Sequence, residues 1–284
     1  AALSARLPGV NKGTPADVRE ARNETIATAV KLATGDSDPE GRRAALAWVG
    51  TNLPAETGWR PEVIHAHDWQ AGLVPAYLTA DKAERPATIL TVHNLAFQGL
   101  FPPDRLDELR LPARMFVPSE IEFHGQIGFL KAGLVFADRI TTVSPTYARE
   151  IRETAHGFGL EGLLRWRRAD LAGILNGIDT AIWNPRDDPR LVKAYGSNSL
   201  DAKAANKAAL QRRFGLVERP QRLVFGVISR LTSQKGLDLL LPLIPLIVAA
   251  GGQIALLGSG DRALDAAYTA AARRHPGDVG VVLT

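Results

Sequence analysis

Residues 223–236 read LVFGVISRLTSQKG, a continuous apolar run that gives way to a polar turn with two cations and a glycine. An apolar run without alternation is typical of a strand that is buried on both faces, as the strands of a parallel sheet are. The residues from Lys235 onward have the apolar spacing of a helix. A strand, a short polar turn and a helix in this order indicate an α/β fold with a parallel sheet.

The same alternation of strand and helix extends from about residue 61 to the end of the sequence. The predicted strands are Glu62–Ala66, Thr88–Val92, Arg139–Val143, Ala172–Leu175, Leu223–Ile228, Gln253–Leu257 and Val279–Leu283. The predicted helices are Pro15–Ala33, Pro39–Asn52, Trp69–Thr79, Gln126–Ala137, Pro145–Thr154, Lys203–Phe214, Lys235–Ala250 and Arg262–Arg274. Pro242 should kink or break the helix that begins at Lys235. The pattern predicts a doubly wound α/β architecture.

The composition is that of an ordinary globular protein, with 45% hydrophobic and 23% charged residues among 284. The 34 basic and 30 acidic residues are mixed along the chain, so we expect no nucleic-acid partner. The cluster Arg165, Arg167 and Arg168 is expected to be a solvated face rather than a phosphate patch. The absence of cysteine excludes disulfides and fits a cytoplasmic location. The longest apolar stretch, Leu239–Ala250, is too short to cross a bilayer and is interpreted as a core helix, so no membrane partner is expected.

Ligands of open α/β sheets bind beyond the carboxyl ends of the strands, so polar residues at strand ends are the candidates for chemistry. The first group is His65, His67, Asp68 and Trp69. Its spacing is not that of a zinc site, because alternate residues of a strand share a face while the aspartate begins the next helix. Asp68 could be a helix N-cap and His65 a packed core histidine. Alternatively, Asp68 and Trp69 line a sugar site, since a carboxylate suits hydroxyl groups and an indole suits a pyranose face.

Two further strand ends carry ligand-type side chains. His93 and Asn94 follow one strand and offer donors and acceptors to a hydroxylated ligand, with Gln98 shortly after them. A hydrogen-bonded loop histidine is the alternative for His93. Asn176 precedes a glycine after another strand, a pair that is also common in plain turns.

The turn after Ile228 brings Arg230 and Lys235 close to a predicted helix start, whose free N–H groups favour an anion. A guanidinium, an ammonium and oriented amides together outline a diphosphate site, although isolated surface charges would have the same sequence. The residue order is not that of a Walker motif. The next strand ends in Gly258, Gly260 and Asp261, where glycine lets the backbone approach a ligand.

Seven runs of the sequence together resemble one family, the bacterial glycogen synthases and plant starch synthases that use a nucleotide-diphosphoglucose donor. The runs are HAHDWQAGLVPAYL (65–78), TVHNLAFQGLFP (91–102), GQIGFLKAGLVFADRITTVSPTYAREI (125–151), GLEGLL (159–164), GILNGIDTAIWNP (173–185), NKAALQRRFGL (206–216) and VISRLTSQKGLDLL (227–240). Their common order is more specific than any single motif. The resemblance implies a GT-B fold, with two Rossmann-like domains, and retaining transfer of glucose from ADP-glucose to an α-1,4-glucan such as glycogen.

The resemblance also implies roles for the matching residues. His93 looks like the histidine at the donor glucose, with Asn94 beside it, and Asp68 and Trp69 look like residues near the transferred sugar and the acceptor. Asn176 is similar to a residue that contacts the donor at the domain junction. Arg230 and Lys235 look like the pair that binds the ADP diphosphate and stabilises it as leaving group. Gln98, Gly258, Gly260 and Asp261 complete the expected substrate-binding set, and the family uses neither a metal nor a cofactor.

We expect the first domain to span residues 1–172 and the second to begin at 173 and continue through 284, with both domains incomplete. The family's N-terminal lysine–glycine–glycine loop is not found in the sequence, and its glutamate–proline–cysteine–glycine–leucine segment would lie beyond Thr284. The chain is therefore interpreted as a fragment that is inactive and poorly soluble by itself. Two alternatives stay open: a related transferase with another donor, such as UDP-glucose, or another acceptor, and a non-catalytic remnant that binds glucan or nucleotide.

Overall fold

The computed structural model describes residues 47, 50, 51, 60–80 and 85–284. The chain divides between Gly177 and Ile178 into two compact units. The predicted helices over 15–33 and 39–52 lie outside the described residues, apart from helical residues 47, 50 and 51. The predicted domain boundary, between 172 and 173, falls close to this division.

The first unit is built around a four-stranded parallel sheet. Its described strands are β1 (Val63–His67), β2 (Ala87–Val92), β3 (Leu100–Phe101), β4 (Glu122–Phe123), β5 (Gln126–Gly128), β6 (Arg139–Thr142) and β7 (Leu171–Gly173). The parallel sheet has the order β1-β2-β6-β7. Its four strands are the four that the apolar runs predict, with ends shifted by a residue or two. All four carboxyl ends therefore lie on one edge of the sheet.

A second, small sheet in this unit was not predicted. Strands β3, β5 and β4 pair antiparallel in the order β3-β5-β4. The predicted helix over 126–137 is consequently wrong at its start, because residues 126–128 are β5 and the helix begins only at Phe129. The turn between β4 and β5 contains Gly125 at φ 77°, a conformation that suits glycine.

The helices of the first unit are α1 (Val74–Ala80), α2 (Phe129–Phe136), α3 (Pro145–Glu150) and α4 (Glu161–Trp166). The predicted helix from Trp69 begins instead as a separate 3₁₀ turn over Trp69–Ala71. Helix α3 starts as predicted, with the Ser144 hydroxyl accepting hydrogen bonds from the amides of Thr146 and Tyr147. Helix α2 supplies the centre of the core, where Phe129, Leu130 and Leu134 are almost fully buried.

The arginine cluster at the end of α4 is the predicted solvated face only at Arg165 and Arg168, which are exposed, and the prediction is wrong for Arg167. Arg167 is only 8% exposed and donates hydrogen bonds to the carbonyls of Leu134, Val135 and Ala137 at the end of α2. Its Nε donates to the Asp170 carboxylate at 3.0 Å. Arg167 therefore satisfies carbonyls at the C-terminal end of a neighbouring helix, and the cluster gives no sign of a phosphate patch.

The second unit contains a three-stranded parallel sheet in the order β10-β9-β8. Its elements are α5 (Lys203–Arg213), β8 (Val224–Ile228), α6 (Leu237–Leu240), α7 (Ile244–Ala249), β9 (Gln253–Leu257), α8 (Arg262–Arg274) and β10 (Val279–Val282). The predicted break at Pro242 is confirmed, because a 3₁₀ turn over Leu241–Leu243 separates α6 from α7. The prediction of a core helix over 239–250 is wrong in part, since Leu239 and Leu246 are about two-thirds exposed or more (71% and 67%).

Candidate functional site

The carboxyl edge of the first sheet brings together the polar residues that follow β1 and β2. The parallel register places His67 of β1 beside Thr91 of β2. The residues that continue past each strand, Asp68 after β1 and His93 after β2, are therefore spatial neighbours. This is the juxtaposition that the strand-end rule predicts.

Asp68 ties the two strand ends together. Its Oδ1 accepts hydrogen bonds from the backbone amides of His93 at 2.7 Å and Asn94 at 3.4 Å, while its own amide donates to the Thr91 carbonyl. The side chain makes no helix-capping bond, so the N-cap alternative is wrong. Its backbone has φ 54° and ψ −169°, a region that costs a non-glycine residue of order 1–3 kcal/mol. Such strain is found most often where a side chain must be aimed at a ligand.

Three histidines lie in contact beside Asp68. The His65 and His67 ring centroids are 4.2 Å apart, and His67 Nδ1 is 3.0 Å from His93 Nε2. His65 Nε2 is 2.6 Å from the Thr91 hydroxyl. The interpretation of His65 as a buried core histidine is wrong, because the residue is exposed. Although the residue is largely exposed, the limited loss of water around its ring lowers the pKa of His65 below its ordinary value. The neighbouring His67 and His93 lower this pKa further, which favours the neutral imidazole of His65.

Trp69 lies next to Asp68 with its indole half-buried. The ring packs near Phe101 and Phe129, with centroids 5.9 and 6.4 Å away. Gly99, at φ 62°, lies against the same ring so closely that a Cβ atom there would overlap it. These contacts fix the plane of the indole, as a platform for a sugar ring requires.

The side chains of Asn94 and Gln98 form hydrogen bonds to the backbone of the surrounding loops. Asn94 Oδ1 accepts a hydrogen bond from the Ala96 amide at 3.0 Å, which closes a turn after β2. Gln98 Nε2 donates to the Phe158 carbonyl at 2.9 Å and so joins two loops. The two residues lie near the strand-end cluster, and the bonds seen here position the loop around it.

Asn176 lies on the exposed segment that follows β7. The segment leaves the sheet after the Ile174 amide donates to the Thr142 carbonyl at 2.7 Å. Within the described residues, no side-chain hydrogen bond joins Asn176 to Asp68 or His93.

In the second unit, Arg230 and Lys235 follow β8 on a short turn. Both are exposed, and within the described part of the chain neither side chain has a hydrogen-bonding or ion-pair partner. Lys235 ends a 3₁₀ turn over Ser233–Lys235, and Gly236 at φ 71° separates it from α6. Because α6 has only four residues, the predicted dipole of a long helix is not available here. The two cations are therefore the main positive charges at this strand end.

Gly258, Gly260 and Asp261 follow β9, beside the turn that carries Arg230. A Cβ atom on Gly258, whose φ is 154°, would overlap the Ser229 carbonyl oxygen. Gly260 pairs with Leu231 in an isolated parallel bridge, where a Cβ atom would also be too close to the backbone. Asp261 caps α8, its carboxylate accepting from the Ala263 amide at 2.8 Å. The glycines thus hold two turns together, and Asp261 has a structural partner.

This arrangement offers hydroxyl-binding groups on the first unit and unpaired cations on the second. Across residues 60–80 and 85–284, no group of three or more His, Cys, Asp or Glu is arranged to hold a metal ion. In the same residues, no helix combines the length and apolar character needed to cross a membrane. Sequence reasoning gave no role to His67 or Gly99, although the first adjoins Asp68 and the second follows Gln98.

Both the sequence and the structure of the chain match those of known proteins. Residues 27–166 match the family described as the starch synthase catalytic domain. The chain is 56% identical over 244 residues to a glycogen synthase of Roseobacter denitrificans, covering 85% of this chain and 51% of that one. It is 53% identical over 250 residues to a glycogen synthase of Yersinia pestis, covering 86% of this chain and 52% of the relative. The chain spans about half the length of the curated relatives it matches.

One solved structure is similar over most of the chain. The catalytic domain of starch synthase IV from Arabidopsis thaliana, bound to ADP and acarbose, matches with a TM-score of 0.80 and 29% identity. The match covers 88% of this chain and 53% of that one. The predicted fold class, α/β of the GT-B type with parallel sheets, is confirmed.

Proposed function

Because the chain belongs, over the part that it spans, to the family of glycogen synthases and starch synthases, we propose that it carries donor- and acceptor-binding residues of an enzyme that transfers glucose from ADP-glucose to the non-reducing end of an α-1,4-glucan, with retention at the transferred sugar. The observation that carries this proposal is the pair Arg230 and Lys235, which are exposed and without an anionic partner in the described chain. A diphosphate leaving group would supply the negative charge that pairs with these two cations.

The chemistry of the second unit follows from the bond that breaks. When the glycosyl–phosphate bond opens, negative charge develops on the leaving diphosphate. Cations held in place before the reaction stabilise that charge without reorganisation. Arg230 offers a planar fork to two phosphate oxygens, and Lys235 offers a point charge. Gly258 and Gly260 leave two positions of the neighbouring turn without a side chain, and Asn176 and Asp261 are proposed to contact the donor near its sugar.

The first unit would hold the sugars. His93 is proposed to bind the donor glucose, with its backbone fixed by Asp68 and with Asn94 and Gln98 shaping the loop beside it. Trp69 offers the partly buried indole on which an acceptor glucose can stack. No carboxylate pair for a double displacement is proposed, so retention would follow from departure and attack on the same face of the sugar.

The partners proposed are therefore ADP-glucose and glycogen, with no metal or cofactor, no nucleic acid and no membrane. A cytoplasmic location belongs to the same proposal. The choice of ADP-glucose over UDP-glucose comes from the family likeness and from the ADP in the similar starch synthase structure.

A transfer assay with labelled donors tests the proposal. Glycogen is incubated with the chain and labelled ADP-glucose or UDP-glucose, and the label in the glucan is counted. The variants R230A and K235A should each lower transfer about 100-fold or more, the scale seen when one charge-stabilising group is removed. Arg273 is an exposed cation on α8, so R273A is the matched control and should transfer like the unaltered chain.

The alternatives give different results in the same experiment. Transfer from UDP-glucose but not ADP-glucose would identify a related transferase with another donor. Binding of ADP or glucan without transfer would support the non-catalytic remnant. If R230A and R273A bind ADP equally well, the diphosphate assignment is wrong.

A further inference from the structure

The hydrogen bond between His67 and His93 assigns a role to a residue that no part of the proposed reaction uses. His67 is the last residue of β1, and His93 is the first residue after β2. Their nearest ring nitrogens, Nδ1 of His67 and Nε2 of His93, are 3.0 Å apart, and the ring centroids are 5.3 Å apart. The two rings are therefore close enough for a direct imidazole–imidazole hydrogen bond.

This bond completes the fixation of His93. Asp68 holds the His93 backbone amide at 2.7 Å, but a backbone bond leaves the imidazole free to rotate about its side-chain torsions. The bond to His67 removes that freedom, because it ties one ring nitrogen to a strand residue. His93 is exposed, so packing alone does not orient its ring.

The bond also constrains where protons lie. A hydrogen bond between two imidazoles needs one N–H and one bare nitrogen, so the two facing nitrogens cannot both carry hydrogen. At least one of the two rings is therefore neutral in this geometry. Once the facing nitrogen of His93 is used, only its Nδ1 is left for a ligand.

The groups around the pair already have partners. His65 stacks beside His67 at 4.2 Å and bonds to the Thr91 hydroxyl. The Asp68 carboxylate accepts hydrogen bonds from the backbone amides of His93 and Asn94. A ring held in one orientation presents the same nitrogen to every substrate molecule.

We propose that His67 is a positioning residue, which holds the His93 imidazole in one orientation so that Nδ1 faces the ligand. The proposal deepens the proposed function, since it concerns the histidine assigned to the donor glucose. His67 itself need not touch the substrate.

Nuclear magnetic resonance of the chain with isotope-labelled histidine tests this directly. The sequence has only six histidines, so the ring signals can be assigned one by one. We expect a scalar coupling across the hydrogen bond between His67 Nδ1 and His93 Nε2, and ring-nitrogen shifts that show which of the two nitrogens carries the hydrogen. If the coupling is absent and the His93 shifts are those of a freely exchanging imidazole, the proposal is overturned. This measurement needs no variant.

Two substitutions separate positioning from a general structural effect. H67F removes the nitrogen and should leave the His93 ring free to rotate, with its ring-nitrogen shifts moved and the affinity for ADP-glucose lowered about 10-fold, the scale of one lost hydrogen bond. H67N keeps a polar atom near the Nδ1 position and should restore most of the affinity. His156 is exposed and outside the cluster, so H156N is the matched control and should change neither readout. Unchanged His93 shifts in H67F would contradict the proposal.

The same spectra distinguish this inference from the proposed function. If the coupling is present but saturating ADP-glucose does not move the His93 signals, His67 positions His93 and the donor role of His93 is wrong. If ADP-glucose moves the signals while the coupling is absent, the donor role stands and His67 is not its positioning residue.

Discussion

Replacing Arg167 should strongly destabilise the first unit. The guanidinium is 8% exposed and donates to three carbonyls at the end of α2, from Leu134, Val135 and Ala137. It also pairs with Asp170 through Nε. R167M keeps the length and apolar stem of the side chain but removes all four bonds.

The magnitude follows from what is left behind. Three helix-end carbonyls lose their donor in a buried place, and each unsatisfied buried polar group costs about 1–3 kcal/mol. These costs are not additive, because water and local relaxation recover part of them. Removing one partner of a buried charged network typically costs about 3–5 kcal/mol. We therefore expect R167M to lower the free energy of unfolding of the first unit by about 3–5 kcal/mol.

Urea unfolding followed by hydrogen exchange at α2 measures this loss. With an m value of about 2 kcal/mol/M, the unfolding midpoint should fall by about 1.5–2.5 M. Arg168 is the next residue and is exposed, so R168M is the matched control and should shift stability by less than about 0.5 kcal/mol. Equal midpoints for R167M and R168M would show that the carbonyls of α2 do not depend on Arg167.

Two further predictions concern an ion pair and a glycine. The Arg85 guanidinium, which donates two hydrogen bonds of 2.8 Å to Asp138, holds the pKa of that carboxyl well below its usual range. Since the folded pKa is the lower one, D138N should cost about 1–2 kcal/mol near neutral pH, after allowance for exposure, and this difference should shrink in urea melts as the pH falls below about 4. G258A places a Cβ atom against a backbone carbonyl at φ 154° and should destabilise the second unit by roughly 2 kcal/mol or more, measured by urea unfolding with G177A in the open linker as control. A G258A midpoint equal to that of G177A would show that the turn adapts.

Strand β9 could be predicted because burial on both faces leaves a direct mark on the sequence, whereas β8 was found from a similar apolar run although it is not buried on both faces, since Phe225 and Ile228 are exposed. The run at Gln253–Leu257 is apolar after its first residue, and its predicted bounds agree with the structure. The same signal failed at Gln126–Gly128, because a short strand continued by an apolar helix has no break in hydrophobicity. The break at Pro242 was predictable, since a proline ring within a helix has a local consequence. Features that depend on neighbouring residues can therefore be predicted from the sequence.

Contacts between distant residues could not be predicted in the same way. The backbone of Asp68 has a positive φ because its carboxylate bonds to amides that come 25 and 26 residues later. Arg167 is buried because the end of α2, 30 or more residues earlier, needs donors. In the sequence, nothing distinguishes Arg167 from Arg165 and Arg168. Only the fold determines that Arg167 is the buried one.

The strand-end rule selected the candidate residues, but it could not tell which of them have side chains available to a ligand. Asp261 and Asn94 both use their side-chain oxygens to hold nearby backbone amides. Arg230 and Lys235 have no such partners in the described chain, although their sequence context is equally polar. Within the described residues, the structure shows no stabilising contact of the Arg230 or Lys235 side chain. Replacing either residue should therefore affect ligand binding far more than folding. If R230A instead lowers stability without changing ADP binding, the distinction between engaged and available side chains does not identify function in this protein.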